Sequence, residues 1–336
     1  MPLRTLRGHV SIKAESAVDT FTATSVSGFV LAQNIAYSIL EGTAYERSEL
    51  RGNFNKMDPI PGPAGAQISF EVPLKGNGTA GQAPDYGIAL IGCGFREVYT
   101  SGTSVAYKLW STYDGAQTGT LPSGTLTTNP GPSYTVEFEE DGVRYALKGG
   151  WGNVSIEGEV GKPLIAKFNF QGSYVEVSGQ ALFSESDIAL FQNNTVPPTL
   201  LSAGVSCPSL SGICVFEKVM WDAGNAVALR KNANDSAGIM GALITDRRPT
   251  GSIDPEMVLP SAGDVYAAWR AGTPGAVTTH TLGSASGNKL RIDAPRCVIK
   301  SLSPADRNSV RTLGLAFDIV SLPTDADGTA LTITVS

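Results

Sequence analysis

Four acidic side chains in the middle of the chain are the first residues whose type and spacing could do chemistry. Glu137, Glu139, Glu140 and Asp141 follow one another closely, and a pair of carboxylates supplies the acid and the nucleophile of sandwich-type glycosidases. Carboxylates two residues apart on a strand would lie about 6–7 Å apart, which is too far for the retaining geometry. The Glu-x-Asp-x-x-Glu spacing of such enzymes is missing, and no tryptophan cluster accompanies the acids. We therefore interpret these residues as a solvated outer face.

Three other kinds of site have weaker support. The segments 325–328 and 222–225 resemble calcium loops, but both lack the Glu at the twelfth position and are interpreted as turns. The segment 76–81 satisfies GxGxxG without the acidic residue that a dinucleotide fold needs before its second strand. His9 and His280 are candidate bases for a serine nucleophile, but the chain contains no Gly-x-Ser-x-Gly nucleophile elbow. The sequence therefore predicts no enzyme, no cofactor and no metal site.

The cysteines add no metal motif. There are four, with no CxxC pair among them, and two histidines complete no zinc pattern. Cys207 and Cys214 are close enough in sequence to bridge a short loop. Free buried thiols are the interpretation that we favour for this pair.

The composition favours a β-rich fold and argues against nucleic-acid binding. The 336 residues suffice for two domains, and 38 glycines with 20 prolines and only 17% charged residues suit short strands and turns. The net charge of −6 provides no basic patch for phosphates. Arg4 and Arg7 precede no apolar signal core, and polar residues interrupt the uncharged stretch 20–40, so neither a cleaved signal nor a membrane span is predicted.

A meander over residues 134–174 is the clearest element. Tyr134, Val136 and Phe138 alternate with polar residues, and the turn Asp141-Gly142 leads into a second alternating run. The predicted strands of this unit are 134–139, 143–148, 151–157 and 164–174.

The other segments are read from periodicity and turn residues. A helix is predicted from Asp85, as N-cap, to Phe95. In chain order, we predict a flexible or partner-docked arm over 1–18, one or two strands over 21–40, a charged loop over 41–65, a strand over 67–74, a strand over 105–113, an exposed loop over 115–132 and a linker near 195.

The second half repeats the order of the first. A helix opening on Asp264 and closing on Gly272 matches the one that begins at Asp85. The other matched segments are 71–74 with 256–259, 141–142 with 286–287, and 168–170 with 317–319. We predict a mainly β fold with two tandem β-sandwich or barrel-like modules, each with a short flanking α-helix. The modules are 1–195, with the N-terminal arm and an inserted loop 96–133, and 196–336.

Two stretches of the first half carry recognisable motifs. Residues 53–95 contain Pro-Ile-Pro-Gly, Ser-Phe-Glu-Val-Pro-Leu-Lys-Gly-Asn-Gly-Thr-Ala-Gly and Leu-Ile-Gly-Cys-Gly-Phe. Residues 145–172 contain Tyr-Ala-Leu-Lys-Gly-Gly-Trp-Gly-Asn-Val-Ser-Ile-Glu-Gly-Glu and then Phe-Asn-Phe-Gln-Gly. Together these motifs resemble the major tail tube proteins of long, flexible-tailed bacteriophages. The chain departs from single-module members in carrying two copies.

The resemblance implies a structural virion protein whose sheets pair with those of neighbours around a hollow lumen that conducts DNA. With six modules expected per ring, a duplicated chain would form trimeric rings with pseudo-sixfold symmetry. The resemblance implies as further partners the tape measure, tail terminator and distal tail proteins, with assembly in the host cytoplasm and no membrane. The alternative is a β-sandwich binding module, either a receptor-binding or a head-decoration protein of a phage.

Two sets of candidate residues follow from the tube hypothesis. Opposite charges on two loops would fix the register between stacked rings; the candidates are Glu46, Arg47, Glu49, Arg51, Asp246, Arg247 and Arg248. Acidic residues facing the lumen would let DNA slide without sticking; the candidates are Glu71, Glu137, Glu157 and Glu159.

Overall fold

The computed structural model describes residues 8–42, 44–49, 55–110, 120–121, 124–126, 132–181, 184, 195–207, 214–261, 263–321 and 330–336. The fold is mainly β, as predicted, with two short helices in the described part of the chain. The elements of the first half are β1 (Gly8–Ala14), β2 (Phe29–Val30), β3 (Gln33–Leu40), β4 (Gly65–Pro73), α1 (Gly87–Gly92), β5 (Phe95–Thr100), β6 (Ser104–Leu109), β7 (Thr120–Leu121), β8 (Gly124–Leu126), β9 (Tyr134–Glu140), β10 (Val143–Glu159) and β11 (Ile165–Gly179). Those of the second half are β12 (Lys218–Asp222), β13 (Asn225–Lys231), β14 (Ile239–Arg247), β15 (Thr250–Ile253), α2 (Val265–Ala271), β16 (Gly275–Thr278), β17 (Leu290–Arg307), β18 (Val310–Ile319) and β19 (Thr332–Val335).

An antiparallel sheet of eight strands runs through both halves, in the order β3-β4-β11-β10-β12-β15-β18-β17. The first four strands come from the first half of the chain and the last four from the second. In the first half, the early strands β3 and β4 are followed across the sheet by β11 and then β10, the second and first strands of a long hairpin. In the second half, β12 and β15 are followed in the same way by β18 and β17. The two halves therefore contribute strands in the same spatial order.

The second layer is built from the other ends of the two long hairpins. The N-terminal half of β10 stays paired with β11 and on its other side pairs with β9, which continues through β1 to β2. A register shift between Lys148 and Trp151 marks the point at which β10 changes its surroundings. The N-terminal half of β17 pairs with β16 and β19, and β19 continues through β6 and β5 to β8 and β7.

The core lies between these layers and is built by alternation along the strands. Phe70, Phe168 and Phe170 project inward, and the rings of Phe70 and Phe168 stack with centroids 5.1 Å apart. Helix α1 packs closely into the core because one of its residues on the core side is glycine. A side chain at Gly92 would meet the Phe170 ring at 2.7 Å. Each fully buried Phe contributes roughly 1.5–3 kcal/mol through removal of its surface from water.

Helix α2 is capped as the sequence predicts but is only half covered. The Asp264 carboxylate accepts a hydrogen bond from the backbone N–H of Ala267 at 2.9 Å, and Gly272 ends the helix with φ of 62°. Val265 and Ala268 pack into the core, whereas Tyr266 and Trp269 remain exposed.

Several predicted elements are confirmed, with shifted bounds. The strand predicted over 67–74 is β4, and the meander is β9, β10 and β11. The segments 143–148 and 151–157 are one 17-residue strand rather than two. Helix α1 is shorter than predicted, and Asp85 does not cap it. The Asp85 carboxylate instead accepts from the backbone N–H of Leu31 at 3.1 Å.

Three predictions about local structure are wrong. Within the predicted flexible arm, residues 8–14 form the buried strand β1, because β9 and β2 pair with its two edges. The end of the predicted first helix is the strand β5, which pairs with β6. The strand that takes the place of β4 in the second half is β15, while Glu256 forms only an isolated bridge with Thr312.

Cys207 and Cys214 form a disulfide, which corrects the prediction of free thiols. The backbone N–H of Ser206 donates to Thr278 at 3.1 Å, and that of Cys214 donates to Val205 at 3.4 Å. These contacts hold both ends of the intervening segment beside β16, with the two Cα atoms 6.0 Å apart. Sequence spacing alone does not reveal that proximity.

Candidate assembly surfaces

One face of the eight-stranded sheet carries a continuous row of polar and charged side chains. Directly paired residues of an antiparallel sheet project to the same face, so the register identifies this row. Across six strands the row is Glu71, Lys167, Ser155, Asp222, Thr250 and Asp318. This face lies opposite the apolar core.

Three of the four glutamates predicted to face a lumen meet on this face. Glu71, Glu157 and Glu159 line one open cavity of about 520 Å³ where β4, β11, β10 and β12 run side by side. The lysines Lys167 and Lys218 line the same cavity. Asn34 on β3 donates to Glu71 at 2.7 Å. The sequence predicts that these glutamates lie on strands in which polar and apolar residues alternate. The fold brings those strands together.

Ion pairs partly neutralise the acids of this face. Lys167 pairs with Glu157 at 2.7 Å, and this hydrogen bond raises the pKa of Lys167. Lys162 pairs with Glu159 at 2.9 Å and lowers the pKa of that carboxyl. These pairs are solvent-exposed, so each contributes little to folding stability.

Glu137, the fourth lumen candidate, is buried elsewhere, and its strand is not the solvated face that the sequence suggested. Its carboxylate accepts from the backbone N–H of Thr24 at 3.1 Å and from the Thr24 hydroxyl, with Arg144 at 3.5 Å. Glu139 lies beside His9 of β1 and is 2% exposed. Strand β1 pairs alongside β9, and the segment around Thr24 covers this face of it. Both partners are more than 110 residues away in sequence.

The contact between His9 and Glu139 joins two groups whose neutral forms are favoured by burial. Nε2 of His9 lies 3.3 Å from Oε2 of Glu139. Burial lowers the pKa of His9 to about 4. Burial, together with the charge of the neighbouring Glu137, raises the pKa of Glu139 to about 7. The two shifts are opposite in sign and act on stability in opposite directions with pH.

The first charged loop presents its predicted residues to solvent. Arg47 and Glu49 pair with each other at 3.2 Å, and Glu46 lies 3.9 Å from Lys56. Arg51 lies outside the described residues. The loop begins after β3 and returns to β4, next to the open edge of the sheet.

The second charged loop divides into exposed and internal residues. Asp246 and Arg248 form an exposed pair at 3.0 Å. Arg247 instead turns inward, where its guanidinium donates to the Trp110 carbonyl and, at 2.7 Å, to the Asn225 side chain. Arg247 therefore joins the β13–β14 hairpin to the first half of the same chain, a role that sequence reasoning missed.

The two halves of the sheet are joined at a seam between β10 and β12. Residues 155–159 pair with 222–218 in unbroken register. Val219 and Trp221 on β12 project into the core and are 2% and 0% exposed. The sequence gives no direct signal for this pairing, because alternation identifies each strand without identifying its neighbour.

The outer strands of the same sheet present open edges. Among the described residues, β3 pairs only with β4. The C-terminal part of β17, from Lys300 to Arg307, pairs on one side with β18, and no described strand lies on its other side. Most of their residues are exposed, with polar side chains such as Gln33 and Ser38 on β3 and Ser303 on β17 among apolar ones such as Ile39.

The described residues lack two other kinds of functional feature. They contain no group of three or more metal-ligating side chains suited to hold an ion. In the same part of the chain, neither helix has the length and apolar character needed to cross a membrane.

Comparison with known proteins points to one family. A family model described as "Phage tail tube protein" matches residues 5–318. Comparison with curated proteins gives no match.

Proposed function

We propose that this chain, which belongs to the phage tail tube protein family, closes into trimeric rings that stack as the conduit for DNA. Membership of the family makes it a structural component of a phage tail, built as a multi-subunit tube with other phage proteins. The observation that carries the finer proposal is the eight-stranded sheet, which has one seam inside the chain and two open edges.

The tandem arrangement is the first step of the proposal. The strands β3, β4, β11 and β10 follow the same spatial order as β12, β15, β18 and β17. A helix follows the second strand of each set. We infer that residues 1–195 and 196–336 are two copies of one tube module, each contributing four strands to the wall.

The seam inside the chain serves as the pattern for the contact between chains. If β10 and β17 are equivalent, the strand that pairs with the open edge of β17 is the equivalent of β12, which is β3 of another copy. Open strand edges are a liability unless they find a partner, and a heterologous contact of this kind closes into a ring when the rotation permits.

Three copies complete a ring of six modules and a barrel of about 24 strands. Barrels of 16–18 strands already leave an aqueous channel, and the diameter grows roughly linearly with strand number. We infer that such a barrel encloses a lumen wide enough for a DNA duplex.

The charged face of the sheet becomes the lumen wall in this arrangement. Its carboxylates, Glu71, Glu157, Glu159, Asp222 and Asp318, outnumber its lysines, Lys162, Lys167, Lys218 and Lys300. A surface with excess negative charge repels phosphates and gives DNA no place to bind. Because Glu137 is buried beneath the segment around Thr24, we leave it out of the proposed lumen.

Stacking between rings is assigned to the exposed loop charges. Glu46, Arg47 and Glu49 on one loop would face Asp246 and Arg248 of the next ring. Arg51 carries charge of the same sign as Arg47 and belongs to the same loop by sequence. Arg247 is bonded within the chain and is not needed for this contact.

Electron microscopy of the purified protein is the direct test. We expect rings with threefold symmetry and a central hole, or tubes built from them. Discrete oligomers without a central hole would contradict the proposal and favour a phage binding module.

A further inference from the structure

One tryptophan lies at the start of the open edge of β17. Trp269 on α2 is 46% exposed, whereas Trp110, Trp151 and Trp221 are each 5% exposed or less. Its indole N–H donates to the Lys300 carbonyl at 3.2 Å. Beyond Cys297, β17 pairs with β18 alone among the described strands, so Lys300 lies on the part that is covered on one side only. An apolar ring is therefore held, half uncovered, where the edge opens.

The closed seam indicates what should come to this place. Val154 of β10 is paired with the buried Phe168, and Ile299 of β17 is paired with the buried Phe317, so the two residues hold corresponding positions. At the seam, the Val154 carbonyl accepts the backbone N–H of Ala223 at 3.0 Å, just after β12 ends. The corresponding point of β17 is adjacent to Lys300, because a register shift inserts that residue.

A second copy offers apolar side chains on the matching face of its open edge. Tyr37 and Ile39 of β3 pair with Ile68 and Ala66, which are buried, so both project to the core side of the sheet. Helix α2 lies on that same side of its own half, with Ala268 in the core. Ile39 is 57% exposed. A β3 strand laid against β17 would thus carry Ile39 toward α2.

The first helix shows why α2 is left uncovered. A side chain at Gly87 of α1 would meet the Tyr107 hydroxyl of β6 at 2.2 Å, so β6 closes directly over that helix. Between α2 and β16 the chain has only residues 272–274, with no counterpart of β5 to β8. The cover for α2 must come from outside its own half.

We propose that Trp269 of one chain packs against Ile39 of a second copy and so fixes the position at which the two open edges join. The proposal rests on the pairing of β17 with β3 and adds a side-chain contact that backbone pairing does not require. Large aromatic residues that become buried at an interface supply a dominant share of its binding energy.

The fluorescence of the protein tests this contact. Because Trp269 is the exposed member of the four tryptophans, acrylamide quenching of the unassembled chain reports mainly on that residue. We expect assembly into rings to abolish this quenchable fraction. The W269F variant should lack the fraction before assembly, which verifies the assignment.

Two substitutions complete the test. I39S should leave Trp269 quenchable in any rings that form, and W269A should raise the concentration needed for assembly on the order of 30-fold. V177S, at an apolar site on β11 that is 39% exposed, is the control and should change neither.

The possible outcomes separate this contact from the proposed function. Rings in which Trp269 stays quenchable would overturn the contact and leave the ring proposal intact. A chain that forms no rings by electron microscopy would overturn both.

Discussion

The seam between β10 and β12 and the open edges of β17 and β3 are corresponding boundaries of the sheet in the tandem arrangement proposed above. At the seam, Trp221 and Val219 are almost fully removed from water. At the open edge, Tyr37 is half-buried, Ile39 is exposed, and polar residues occupy the other face. The apolar side chains at the seam are buried when the chain folds. The open edges carry enough polar side chains to remain in water until another copy associates with them.

Proline at position 304 adds to this contrast. Pro304 lies on the open part of β17 and has no backbone N–H to donate. Proline within sheets is confined to edge strands and bulges. The position of Pro304 therefore agrees with an edge location for this part of β17.

The largest expected effect comes from opening the seam. The substitution W221A removes a fully buried ring and should lower the free energy of unfolding by about 3–5 kcal/mol. The matched substitution I39A on the open edge should change it by less than about 0.5 kcal/mol. Urea unfolding followed by circular dichroism measures both. Equal losses in the two variants would mean that the two boundaries do not differ as described.

A proline on the open edge should stop assembly while sparing the fold. Successive N–H groups of a strand point to opposite edges, so L302P and S303P are made separately and one of them removes an outward donor. We expect that variant to remain folded by circular dichroism and to form no rings. The seam counterparts I156P and E157P are the controls, and at least one of them should lose stability. Rings from both edge variants would contradict the proposed pairing of β17 with β3.

Charge reversal at the first loop separates lateral joining from stacking. The double substitution R47E/R51E leaves both sheet edges unchanged, so it should give soluble rings that no longer form tubes. Electron microscopy and sedimentation measure the two species. Charge-neutral R47Q/R51Q should weaken stacking less, particularly at high salt, where surface charges are screened. Tubes of normal length from the reversed variant would count against this assignment.

The smallest effect should arise at His9 and Glu139, which belong to neither boundary. A histidine whose folded pKa is lowered from 6.5 to about 4 loses stability as pH falls through that window. A carboxyl whose folded pKa is raised from 4.5 to about 7 gains stability as pH falls through its window. H9Q should therefore become more stable from pH 7 to 4.5, and E139Q less stable from pH 6.5 to 4. Urea midpoints across pH measure both slopes, and ring formation at neutral pH should be unaffected.

Local patterns predict much of this fold. Alternation at Ile68, Phe70 and Val72 identifies β4, and the pair Asp264 and Gly272 marks the ends of α2, because these signals depend on neighbouring residues only. Alternation at Val10 and Ile12 is present in β1 as well, but nearby charges and the terminal position favoured an arm.

What sequence reasoning missed depends on partners far away in the chain. Glu137 is buried because Thr24 supplies its donors, and the disulfide of Cys207 lies beside a residue, Ser206, that bonds Thr278 of β16. Arg247 turns inward toward the Trp110 carbonyl, which is 137 residues distant. Of the candidate lumen residues, the three on strands of the eight-stranded sheet share one face, whereas Glu137 sits on a strand of the second layer.

Strand β10 has a mechanical consequence because it belongs to both layers. One uninterrupted backbone runs from Tyr145, in the outer layer, to Glu157, on the charged face. A sideways load applied to the second layer is carried to the charged face through one peptide backbone, which β11 flanks along most of its length. No flexible connector intervenes to absorb it. Bending of one layer is therefore expected to bend the other.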